Sequence, residues 1–383
     1  SNNWAVSGRR TRSGYPLLAN DPHLGLKLPS IWLEMQLAAP GVNVYGTSLP
    51  GAPGVIIGFN QEIAWGVTNT YADVFDWYAI TFRDSSYTEY LHGGEWKPVK
   101  MVPETLAVKG KKQPIVDTVR WTHHGPVVYL PKEEGNGQAP VGHALKWVAH
   151  EPSAEVKTFY NLNRAENYTD YEAALEYYFA PAQNFVFASS SGDIALWSNG
   201  HLPLKWPGQG KFLLDGSNPA HDWQGYLPQD HNPHTVNPAR GYVSSANQHL
   251  AAPGTYPYYL HWDFSTWERG ARINNVLDSM TNATVDSMRL LQLDDKNLFA
   301  EKVLPFLLDT LPSMSLDEPG RQALEKLQAW DYRHTPEAIA PGLFVTWWDE
   351  LMRSIWADDF PEDTYTFPDR AVTARMLITG DTT

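Results

Sequence analysis

The chain has 383 residues, 43% hydrophobic and 13% aromatic, ample material for a packed core in one large domain or two or three ordinary ones. Its 43 Asp and Glu outweigh 29 Lys and Arg to a formal net charge of −14, a field that repels phosphate backbones and anionic membrane surfaces and so excludes nucleic acid as a natural partner. Cysteine is absent, which removes disulfides, thiolate metal sites and a cysteine nucleophile, and apolar runs such as "VIIGF" and "VLPFLL" fall far short of the roughly 20 residues a membrane-spanning helix needs.

The first 130 residues predict strands and tight turns. "NWAVSG", "YPLLAND", "IWLEMQLAAPG", "VNVYGTSLPG", "GVIIGFN", "EIAWGVTN" and "FDWYAITF" are short apolar or alternating runs, punctuated by Gly, Pro and Asn as in a mostly buried antiparallel sheet. "YLHGGEW" and "VKGKKQPIVDTVRWTHHGPVVYL" predict hairpins. Near residue 152 the pattern turns helical, with Thr169 as the expected N-cap and Glu172 closing a capping box. Strands return in "NFVFASSSGDIALWSNG", two arms around a Ser-Gly-Asp turn, and a Pro/Gly-rich meander leads to "NPARGYVSSANQ". From "ERGARINNVLDSM" onward the segments are helical. Runs of strands followed by runs of helices predict an α+β fold.

Common catalytic signatures are missing. The sequence has no G-x-S-x-G elbow, S-x-x-K pair, H-E-x-x-H, Walker loop or G-x-G-x-x-G. His123 with His124, and His231 with His234, are spaced as surface-loop histidines rather than as metal ligands.

What remains is the first residue. A serine at a chain start carries its own α-amine beside its hydroxyl, and an amine with an ordinary pKa near 7.7–8.0 can take the hydroxyl proton directly or through one water. Nucleophile and base then belong to one residue, although a tag-removal scar can also begin "SN".

Five segments in order decide between them. "SNNWAVSG", "PLLANDPHLGL", "GTSLPGAPGVIIGFNQEIAWGVTNTYADVFDWY", "NPARGYVSSANQ" and "WERGARINNVL" resemble the penicillin acylase family of N-terminal-nucleophile hydrolases, closely over residues 1–80 and in patches to about 290. The resemblance implies a four-layer αββα sandwich of two antiparallel sheets over residues 1–290, followed by a helical segment over 291–383 that is part of a longer β subunit or a nicked one. It implies autoproteolysis before Ser1, an α subunit from the same precursor, a possible separate C-terminal β fragment, and a periplasmic or secreted location. The activity implied is hydrolysis of an acyl amide to acid and amine through an acyl-enzyme on Ser1.

Carried residue by residue, the resemblance gives an oxyanion hole to the backbone N–H of Asn69 and the side-chain amide of Asn247, and to His23 a contact that holds the nucleophile. Arg272 supports the asparagine and the amine region, with Arg269 a rival for that role. Leu24, Ile57, Val67 and Tyr71 match the acyl pocket; their largely aliphatic character favours a linear fatty acyl chain, including acyl-homoserine lactones, over phenylacetyl groups. Asp73, the Phe75 carbonyl, Asp76, the Pro203 carbonyl and Asp263 match a structural Ca²⁺ site completed by an α-subunit glutamate; without the resemblance, Asp73 and Asp76 read as solvated carboxylates. No organic cofactor is expected. The competing reading is a non-catalytic, calcium-assisted carbohydrate-binding module, whose stacking platforms 16 Trp and 19 Tyr could supply.

Overall fold

The strand Asn2–Val6 follows Ser1 directly, and Asn3, Trp4, Ala5 and Val6 are all buried. A run covered on both faces belongs at the centre of a sheet. It pairs antiparallel with Leu17–Asp21 on one side and Tyr242–Ser245 on the other, in a three-stranded sheet. The computed structural model describes residues 1–130, 142–252, 254–264, 266–310, 316–360 and 367–380.

A seven-stranded antiparallel sheet faces this one, in the order His234–Val236, Ile194–Asn199, Gln183–Ser189, Ile63–Asn69, Ile57–Phe59, Val42–Ser48 and Leu33–Ala39. Alternation along "NFVFA" sorts its two faces. Val186 and Ala188 join Ala5, Ile194 and Val243 between the sheets. Phe185 and Phe187 join Ile63, Trp65 and Trp197 on the other face, against Phe159, Leu162, Tyr171 and Leu175 of the helices Glu155–Leu162 and Tyr168–Leu175. Tyr171 also donates its hydroxyl to the Phe185 carbonyl at 3.0 Å, so its buried oxygen is satisfied.

The outer face of the three-stranded sheet meets the helix Trp267–Ser279. Tyr242 Oη donates to Asp278 Oδ1 at 2.6 Å and Ser244 Oγ to Asn274 Oδ1 at 3.1 Å. Helix, sheet, sheet and helix thus stack in the αββα order that the sequence resemblance implied. One local expectation is corrected. The helix Tyr168–Leu175 is capped by Asn167, whose side chain accepts from Asp170 N, and Thr169 lies inside the first turn.

A further six-stranded sheet runs Lys100–Leu106, Ile115–Thr122, Gly125–Val127, His143–Trp147, Phe75–Ala79 and Leu214–Asp215, its last pairing parallel. Beside it the hairpin Glu89–His92 with Glu95–Pro98 turns at Gly93 and Gly94, whose φ of 62° and 80° suit a two-residue primed turn that side chains would strain.

The chain divides into two compact units, Ser1–Met288 and Arg289–Thr383. The second is helical, with Leu298–Thr310, Glu318–Gln328, Ala340–Trp356 and Arg370–Thr379 packing Phe299, Val303, Leu304, Leu327, Phe344 and Trp348 into its core. Asp317 and Asp369 cap two of these helices by accepting from Gly320 N and Ala371 N. No described helix is long and apolar enough to cross a membrane.

Candidate active site

Antiparallel pairing brings the site together. Asn2 lies opposite Asp21 and Asn3 opposite Ser245, so the start of the central strand meets the ends of both neighbours. His23 follows one neighbour by two residues and Asn247 the other. Asn69 ends a strand of the facing sheet, and Arg269 stands in the first turn of Trp267–Ser279.

The Ser1 α-amine donates to Asn247 Oδ1 at 3.0 Å. That same oxygen accepts from Arg269 Nη2 at 3.0 Å, while Asn247 Nδ2 donates to the Asn69 carbonyl at 2.7 Å. Arg269 Nη1 reaches the Ser1 carbonyl at 2.9 Å and Asn2 Oδ1 at 2.6 Å. Ser1 Oγ accepts from the His23 backbone N–H at 3.1 Å. Asn247 is buried and left-handed at φ 66°, a conformation Asn tolerates better than most side chains.

The amine is electrostatically prepared. Half-burial, followed by the Arg269 guanidinium, lowers its pKa from the ordinary 8.0 to about 6, against the opposing pull of Asp21. At neutral pH it is mostly free to accept a proton.

Two expectations change in detail. The contacts foreseen for Arg272 are made by Arg269, one turn earlier on the helix. His23 meets Ser1 Oγ through its main chain, and its ring instead pairs with Asp21 Oδ2 at 3.0 Å. The sequence reading missed the buried polar layer beneath the site. Asn184 Nδ2 donates to Ser245 Oγ at 2.9 Å and to the Asn69 carbonyl at 3.2 Å, Ser198 Oγ donates to Asn184 Oδ1 at 2.6 Å, and Thr68 Oγ1 lies 3.0 Å from Ser245 Oγ. Its only sequence signal is polar residues at inward-facing strand positions.

The four acyl-pocket candidates differ in exposure. Ile57 and Val67 are half-buried on adjacent strands, whereas Leu24 and Tyr71 are 51% and 45% exposed.

The calcium ligand set does not fit its ion. Lys205 Nζ lies 2.9 Å from Asp73 Oδ1 and 2.8 Å from Asp76 Oδ2, with all three side chains buried, so an ammonium holds the place between the carboxylates that a cation would need. Tyr259 Oη occupies Asp73 Oδ2 at 3.0 Å and Trp223 Nε1 donates to Asp76 Oδ2. Pro203 is buried nearby in sequence, but Phe75 and Asp263 are exposed.

The family model for penicillin amidase matches residues 1–382. An acyl-homoserine lactone acylase, QuiP, of Pseudomonas aeruginosa is 30% identical over 389 residues, covering 95% of this chain and 45% of its own length. A penicillin acylase 2 proenzyme of a Pseudomonas species is 26% identical, covering 97% of this chain and 47% of its own length. The chain therefore spans about half the length of the curated relatives it matches. In structure it resembles a thermostable penicillin G acylase from Alcaligenes faecalis, with a TM-score of 0.77 at 23% identity over 95% of this chain and 66% of that one.

Proposed function

The chain belongs to the penicillin amidase family, and from that premise we propose that it is the nucleophile-bearing part of an amidohydrolase that cuts small acyl amides into acid and amine. Ser1 Oγ attacks the carbonyl carbon while the free α-amine accepts the hydroxyl proton, directly or through one water. The oxyanion takes hydrogen bonds from the Asn247 side-chain amide and the Asn69 main-chain N–H. When the tetrahedral intermediate collapses, the C–N bond breaks and the α-ammonium returns its proton to the departing amine. Water then attacks the Ser1 ester, giving its proton to the Ser1 α-amine, which passes it to Oγ as the acid leaves.

The observation that most supports this reading is the amine hydrogen-bonded to Asn247 while Asn247 also reaches Arg269 and Asn69. Intact-mass analysis with a slowly hydrolysed acyl amide tests it. A single acyl adduct on Ser1, absent from Ser1→Ala, is expected; turnover by a mature Ser1→Ala protein would overturn the mechanism.

The acyl group proposed is a linear aliphatic chain, as in N-acyl-homoserine lactones, with β-lactam amides as a second substrate class. The half-buried aliphatic side chains of Ile57 and Val67 support it, as does the name of the 30% identical relative. A higher kcat/KM for phenylacetyl than for aliphatic amides would reverse this preference. Maturation by autoproteolysis before Ser1, with an α subunit from the same precursor, belongs to the same proposal. Leu24, Leu26, Leu28, Ile31 and Leu33 are exposed apolar side chains that such a subunit would cover.

A further inference from the structure

His124 is buried and not a surface-loop residue, although its neighbour His123 is exposed. They occupy the turn between Ile115–Thr122 and Gly125–Val127, and they meet His92 from the end of its hairpin strand and Asp222 from just after the turn Pro219–His221. One ligand-capable atom from each of the four residues lies within 4.8 Å of every other. Asp222 Oδ2 is 3.2 Å from His92 Nε2, and Oδ1 is 3.5 Å from His123 Nε2 and 3.7 Å from His124 Nδ1. Two ligands at about 2.0–2.1 Å from a tetrahedral zinc ion stand about 3.3 Å apart, so this spacing is close to that of a formed coordination sphere.

The protons make the stronger argument. His92 Nδ1 lies 3.0 Å, and His124 Nε2 3.1 Å, from the same Gly216 carbonyl. A carbonyl oxygen only accepts, so both rings must place a proton on those nitrogens. In their neutral forms, His92 Nε2 and His124 Nδ1 then present lone pairs toward the Asp222 carboxylate, which also presents lone pairs. No hydrogen bond reaches His124 Nδ1 or Asp222 Oδ1 among the described residues.

We propose that His92, His123, His124 and Asp222 bind a divalent transition-metal ion of the zinc type, in a closed site with three imidazole ligands and one carboxylate. The donor set favours such an ion over Ca²⁺ or Mg²⁺, which take mostly oxygen. The outer shell is in place as well. The Gly216 carbonyl orients two imidazoles, and Tyr90 Oη lies 3.0 Å from His123 Nδ1 while accepting from the His123 backbone N–H at 3.2 Å. A Cβ at Gly216 would stand 2.8 Å from the Ala79 carbonyl oxygen and 3.4 Å from His124 Cδ2, so glycine permits this close approach. Tyr78 stacks on His124 at 3.8 Å between centroids, and its hydroxyl ties down the His221 carbonyl beside Asp222 at 2.8 Å.

The test uses the mature full-length assembly, stripped with EDTA, freed of chelator and titrated with Zn²⁺, with Co²⁺ as a spectroscopic probe. About one Zn²⁺ per Ser1-bearing chain, a rise in Tm with Zn²⁺ and the visible bands of tetrahedral Co²⁺ are expected. His92→Gln and Asp222→Asn should lose all three. Tyr90→Phe, which keeps every ligand, should bind about 10–100-fold more weakly and guards against variants that fail to fold. Ser1→Ala should bind normally, so failure of the hydrolase reading leaves this test intact. No Zn²⁺ uptake and no Tm response would leave a hydrogen-bonded histidine cluster only, and uptake unchanged in all three site variants would place the metal elsewhere; either result overturns the proposal.

Discussion

Replacing Arg269 with Gln should move the acidic limb of the kcat/KM profile to higher pH. In the proposed mechanism the Ser1 amine works as a base only when unprotonated, so activity rises as pH climbs through its pKa, which the fold brings down from 8.0 to about 6. An amine at about 6 is about 90% free at pH 7, and one restored to 8.0 is about 10% free, so the full shift is worth about tenfold at neutral pH. Burial is the larger cause and Arg269 the second, so removing the guanidinium recovers only part of that interval. The assay is kcat/KM for a chromogenic acyl amide from about pH 5 to about pH 9, since that ratio reports the free enzyme. The wild-type limb should lie near 6 and the Arg269→Gln limb between there and 8. A limb unmoved by the substitution, or displaced to lower pH, would show that the guanidinium does not set the base.

Asn247→Gly keeps the left-handed backbone while deleting the amide, and should lower kcat by about 10²–10³-fold with little change in Tm; near-normal turnover removes Asn247 from the oxyanion hole. His23→Ala should stay within a few-fold of wild type because the backbone N–H is what meets Ser1 Oγ, whereas His23→Pro, which lacks that N–H, should be far slower; equal rates would separate His23 from the nucleophile. Lys205→Met leaves two buried carboxylates without their counter-charge and should cost about 3–5 kcal/mol in denaturant unfolding. The wild-type protein should unfold at one temperature in Ca²⁺ and in EGTA, and a Ca²⁺-dependent Tm would restore the calcium expectation.

Much of the core was legible because its signals are local. Period-two alternation in "NFVFAS" sorts two buried faces, the Gly93-Gly94 pair marks a hairpin, and the helical segments after residue 266 carry their own periodicity. The site was legible mainly through its segments' resemblance to a family, and it blurred where chemistry depends on three-dimensional detail. Residues 269 and 272 lie about 60° apart around a helix, too close for sequence to say which arginine faces the amine. A main-chain donor such as the His23 N–H leaves no trace in residue identity. Lys205, His92 and Asp222 reach their partners only through tertiary folding, across separations that no local motif spans.

Within the proposed mechanism, the Asn247 arrangement accounts for a terminal serine, and not merely a serine, in this place. Asn247 Oδ1 is an acceptor already shared with Arg269, so what lies against it must donate. An α-amine does so and keeps a lone pair once it is unprotonated; a peptide N–H in the same position would donate equally well but could not take a proton. The hydrogen bonds around Ser1 would therefore survive a preceding residue, while the base would not exist. Within the proposed mechanism, folding of the central strand and creation of the catalytic base are separate events: the sheet can assemble around residue 1 first, and cutting the bond before it then supplies the base without requiring the frame to move.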